Sequence, residues 1–153
     1  MKFIRTAKGR FLFQLGQRER ALFLGLLGLY PRVFSAHQPL SKKGRMPNIE
    51  SSQQLLDEAL AEQRAENKKL LEALLADPKR WAENQAGWRL AISASEIEWL
   101  LQILNDIRVG SWVLLGSPEE PLRVLNEQSG PQVWAMEMAG AYQMFFLHAL
   151  GET

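Results

Sequence analysis

No cysteine occurs anywhere in the chain. That absence excludes a disulfide framework, a thiolate nucleophile, a cysteine-type zinc site and a thiol redox switch. Such a composition suits a reducing cytoplasm, the compartment expected here. Long apolar runs are missing too. The longest, ALFLGLLGLY from Ala21 to Tyr30, is about half of the ~20 residues that a membrane-crossing helix requires. The first residues alternate apolar and basic side chains with no clean small-residue cleavage motif after them, so neither a membrane span nor a secretory leader is expected. Histidine is scarce, and the two present suit packing or a helix-end dipole contact better than metal ligation: His37 lies in a proline-rich stretch and His148 near the end of an apolar segment. There is no Ser-His-Asp arrangement, HExxH, Walker loop or GxGxxG. The chain is therefore expected to be no enzyme and to carry no cofactor.

Negative charge is nearly absent from the first 45 residues. Lys2, Arg5, Lys8, Arg10, Arg18, Arg20, Arg32, Lys42, Lys43 and Arg45 stand there against Glu19 alone, a balance of +9 that the remaining residues offset with −8 to leave +1 overall. A split of this kind points to polyanion binding unless the two parts face each other and cancel. The candidate polyanion contacts are Arg5, Lys8, Arg10, Lys42, Lys43 and Arg45. Against them stands the expectation that hairpin cations alternating with core-directed apolar residues leave few free on one surface.

With 153 residues and 46% hydrophobic content, the chain is long enough for one domain with one core. The expected fold is mainly α, a compact helical bundle over residues 51–150 with a small β-hairpin over residues 1–15 and a flexible basic loop over residues 31–50. Phe3 to Ala7 and Arg10 to Leu15 read as strands around Lys8-Gly9, because Phe11, Phe13 and Leu15 fall on one face at period two. A helix follows from Gln17 to Tyr30, stopped by Pro31. Another runs from about Ser51 to Leu75. Ser93 with Glu96, or Ser95 with Glu98, offers a capping box for a helix to about Leu115. Ser117, Pro118 and Glu120 signal a short helix, and the last begins at Ser129. Residues 79–92 are ambiguous, with Trp81, Trp88 and Leu90 directed to the core.

Three groups of residues merit a functional reading. Asn105, Asp106 and Arg108 interrupt the apolar stretch EWLLQILNDIRVGSWVLLG; on a buried helix such groups must find partners, so they are expected to form a structural polar brace. Glu58, Glu62 and Glu66 recur every four residues as an acidic stripe that repels itself and would meet a cationic partner protein. Trp81, Trp88, Trp99 and Trp134 are the candidates for lining a ligand pocket, the enzyme or small-ligand alternative. The preferred reading is a non-enzymatic regulatory or protein-interaction module, with nucleic-acid binding through the basic N-terminal region as the alternative.

The order of elements, with Trp99, Leu100, Leu104, Asn105, Asp106, Ile107 and Arg108 as its core and WAMEMAGAYQMFFLHALG closing the chain, resembles the actinobacterial AosR family. That resemblance implies a mostly helical cytosolic regulator associated with oxidative-stress transcription, working through contacts with the transcription machinery. Disulfide-based sensing cannot be carried over, since the chain has no cysteine.

Overall fold

In the computed structural model, the structure describes residues 1–32 and 49–151. Among them are four strands and four helices: β1 (Lys2–Ala7), β2 (Arg10–Leu15), α1 (Gln17–Leu27), α2 (Ile49–Ala76), β3 (Trp81–Asn84), β4 (Gly87–Ser93), α3 (Ala94–Leu114) and α4 (Ser129–Gly151). The strands form one antiparallel sheet in the order β1-β2-β4-β3. This corrects the expected helical bundle: the fold is α+β, with the N-terminal hairpin as one half of a four-stranded sheet. The other half is the ambiguous segment 79–92, which folds as a second hairpin. Its strand β4 inserts beside β2 and pairs Leu90 with Phe13 and Ile92 with Phe11.

The sheet is built from period-two patterning. Phe11, Phe13 and Leu15 of β2 and Leu90 and Ile92 of β4 are all buried and share one face. The helices cover that face. Phe13 meets Phe146 of α4 edge-on with ring centroids 5.4 Å apart, and Phe145 at 5.6 Å. Behind them Phe23 of α1 packs on Tyr142 at 4.9 Å. Apart from Gly87, every fully buried strand residue lies on this side.

Local chemistry sets the turns. Lys8 and Gly9 both take left-handed backbone, φ 54° and 76°, the combination that joins twisted antiparallel strands tightly. Gly87 is obligatory for two reasons: its φ is +128°, and a Cβ there would sit 2.3 Å from the Leu15 carbonyl oxygen. Helix α3 opens with the full capping box, Ser93 accepting from the Glu96 amide at 3.2 Å while Glu96 accepts from the Ser93 amide at 2.9 Å.

Two further expectations change. Helix α1 ends at Leu27, three residues early, and the chain reaches Tyr30 through single-turn bonds from Leu29 and Tyr30 back to Leu26 and Leu27. The short helix at Ser117 does not form. Ser117 has φ 53°, whereas an N-cap needs extended backbone, and its amide instead closes α3 by donating to the Trp112 carbonyl. Most of the expected loop 31–50, with His37, Lys42, Lys43 and Arg45, lies outside the described residues.

Candidate functional site

The three polar residues of α3 do not act together. Asp106 is half-buried and accepts from the Arg64 Nε at 3.2 Å and from the Arg32 amide at 3.2 Å, joining α3 to α2 and to the segment after α1. Beside it, Asn67 of α2 donates to the Tyr30 hydroxyl at 3.2 Å and accepts from the Trp99 indole at 3.3 Å. The Arg32 guanidinium reaches Gln132 of α4. The Tyr30 hydroxyl is pushed above its ordinary range, first by burial and also by the Asp106 charge, against the lowering effects of the Asn67 bond and the Arg64 charge. Asn105 and Arg108, by contrast, are exposed, and the guanidinium donates to the Asn105 amide oxygen at 3.2 Å.

The four tryptophans are dispersed. Trp81 and Trp88 are neighbours on the helix-facing side of the sheet and hold the Arg20 guanidinium between their rings, 4.5 and 4.2 Å from the centroids. Trp99 helps to line a surface pocket of about 410 Å3 together with Leu70, Asp77, Arg80 and Glu96. Its charges are already spent on one another: Arg80 bonds both oxygens of Glu96 at 2.6 and 2.7 Å and approaches Asp77 at 3.4 Å. The Lys79 amide and then Arg80 hold the Asp77 carboxyl below its usual range. Trp134 sits apart, exposed on α4. Among the described residues no group of three or more His, Asp or Glu side chains is placed to hold a metal ion. Likewise, no helix among them is long and apolar enough to cross a membrane.

The acidic stripe is where its spacing puts it. Glu58, Glu62 and Glu66 are all exposed along α2, with Gln54 donating to Glu58 one turn away. His148 is exposed near the end of α4.

The open face of the sheet is different in kind. The register puts Lys2, Gln14, Arg89 and Ala82 in one row across β1, β2, β4 and β3, then Arg5, Leu12 and Ala91, then Ala7, Arg10 and Ser93. Lys8 lies in the turn at the end of this surface. The bulge between Phe3 and Arg5 brings Arg5 opposite Leu12 and so onto this face. The one acid within the strands, Glu83, is on the other side, where Gln17 donates to it. Hence the outward strand positions hold Lys2, Arg5, Arg10 and Arg89 and no carboxylate. None of these four, nor Lys8, has an ion-pair or hydrogen-bond partner for its side chain among the described residues, and the Arg89 Nε is enclosed without a partner. Alternation with apolar residues, the reason for expecting few free cations, has the opposite consequence: it turns the apolar residues to the helices and the cations to one surface.

Sequence reasoning singled out Arg5, Lys8 and Arg10 and missed Lys2 and Arg89. Arg89 could be found only by recognising Trp88, Leu90 and Ile92 as a period-two strand beside β2. Comparison of the chain with family models, with curated proteins and with solved structures finds no match.

Proposed function

We propose that this protein is a non-enzymatic nucleic-acid-binding module that holds the phosphate backbone against the open face of its sheet. One observation carries the reading: the outward strand positions bear Lys2, Arg5, Arg10 and Arg89, with Lys8 at the rim, and no acid among the described residues pairs with them. Cations held this close repel one another, so the arrangement costs stability unless a polyanion occupies it. Strand geometry spaces neighbouring positions on the face by about 5 Å across strands and about 7 Å along them, which makes a grid of separate charges rather than a single-ion pocket.

The same face has no outward aromatic residue, since Phe3, Phe11, Phe13, Trp81 and Trp88 all belong to the helix-facing side. A sheet without a stacking platform does not read unpaired bases in the manner of aromatic-faced sheets. Binding through it is therefore governed by phosphate and indifferent to sequence. The resemblance to the AosR family points in a compatible direction, a regulator working beside the transcription machinery.

Fluorescence anisotropy with a generic DNA duplex at low salt tests the proposal. The wild type is expected to bind. The variant carrying Lys2→Glu, Arg5→Glu, Arg10→Glu and Arg89→Glu is expected to lose binding while keeping its helical circular dichroism. A wild type that leaves the duplex free, or a folded variant that binds as before, overturns the reading.

A further inference from the structure

Helices α3 and α4 lie antiparallel, as the contacts of Arg108 with Gly140 and of Gln143 with the Leu101 carbonyl show. Their outer seam exposes large apolar side chains beside the polar Gln102 and Asn105. Val109 and Trp112 on α3 are 43% and 39% exposed, and Met144 and Leu147 on α4 are 74% and 57% exposed. Gly140, Met144 and Leu147 follow one another at helical spacing along α4. At the middle of the seam a groove of about 510 Å3 is lined by Arg108, Val109, Trp112, Met136, Glu137 and Gly140.

The two charges in this groove lie on opposite walls, Arg108 on α3 and Glu137 on α4. They form no ion pair with each other among the described residues, and the Arg108 guanidinium bonds Asn105 instead. A second copy of the same surface supplies what each lacks. A two-fold axis running along the seam lays α3 of one copy over α4 of the other at the same level. Each Arg108 then faces the partner's groove wall that carries Glu137, and Met144 and Leu147 cover the partner's α3. Self-complementarity of this kind, residue i meeting j and j meeting i, is the requirement of an isologous interface. A two-fold axis across the helices would instead set Arg108 against Arg108.

We infer that this face is the homodimer interface of the protein, with the exposed α3–α4 seam buried and Arg108 paired with Glu137 across the two-fold axis. The inference is independent of the nucleic-acid reading, which concerns the far side of the sheet.

Sedimentation equilibrium over a range of concentrations tests it. The wild type is expected to reach a mass about twice the 17.4 kDa of one chain. Arg108→Glu and Glu137→Arg, both exposed positions, are each expected to weaken self-association by about tenfold or more, and the double exchange to recover it. Met144→Lys is expected to weaken it irrespective of charge pairing. A wild type that remains monomeric throughout, or a dimer that none of these variants weakens, overturns the inference. So does a dimer that both single exchanges weaken but the double exchange fails to recover.

Discussion

Asp106 and Arg89 are both charged and both half-buried, yet their circumstances are opposite. Asp106 is satisfied by Arg64 and the Arg32 amide and ties α3 to two other parts of the chain. Arg89 stands in a row of outward cations with its Nε unpartnered. A charge that has found its partner inside the molecule serves the fold, whereas a cation with no ion-pair partner among the described residues, on a sheet face whose strand positions carry no acid, is open to contact from outside through its guanidinium end. The comparison makes the two regions separable by experiment, because changes in the first should act on stability and changes in the second on binding.

The largest effect is expected where the two halves of the sheet meet. Gly87→Ala brings a Cβ against the Leu15 carbonyl and forces a side chain into left-handed backbone. The expected loss is about 3 kcal/mol or more in chemical denaturation. If this variant is as stable as the wild type, β4 does not lie against the end of β2.

Next in size is Asp106→Ala. Removing the carboxylate takes one acceptor from Arg64 and from the Arg32 amide in a partly solvated site, for an expected loss of about 1 to 3 kcal/mol. Duplex binding should be unchanged. The counterpart on the other side of the comparison is Arg89→Gln with Arg10→Gln, for which stability should stay within about 0.5 kcal/mol or rise slightly as repulsion is relieved. A large destabilisation by this pair would assign the open face to the fold.

A smaller effect concerns pH. Burial raises the Tyr142 hydroxyl above its ordinary range, and Tyr30 is raised for the reasons given above. The folded state therefore keeps these protons where the unfolded chain has begun to lose them. Their contribution is fully present below the unfolded value of about 10 and is lost as pH climbs towards the folded value. Stability should fall on the alkaline side, and Tyr142→Phe should make that fall shallower in denaturation curves taken across the range.

These expectations rest on parts of the fold that were unequally legible in the sequence. The first hairpin, the Ser93–Glu96 box and the long helices announced themselves, because alternation in Phe11, Phe13 and Leu15 and the capping pattern are local signals. The second hairpin did not. Its turn residues, Gln85 and Ala86, are weak turn formers, and β3, which pairs only with β4, contains Glu83 and Asn84; what fixes the hairpin is the long-range pairing of β4 with β2. The apparent cap at Ser117 failed because the preceding helix closed on Gly116 and Ser117 with left-handed backbone, a tertiary choice that Pro118 and Glu120 could not reveal. The polar trio of α3 was legible as to partners only for Asp106, since sequence spacing says which residues share a helix but not which side its neighbours occupy. The cationic face was half legible: Arg5, Lys8 and Arg10 stood out by charge, whereas Lys2 and Arg89 join them through register.

The central claim is that the open face of the sheet contacts phosphate. The most direct test is the salt dependence of duplex binding, measured as the slope of log Kobs against log salt for the wild type and for variants neutralised one cation at a time. With Lys2, Arg5, Lys8, Arg10 and Arg89 engaged, the wild-type slope is expected to be about −4 to −5, and each of Lys2→Gln, Arg5→Gln, Arg10→Gln and Arg89→Gln should reduce its magnitude by about one. A wild-type slope near zero, or a slope that none of the four substitutions alters, would contradict the account.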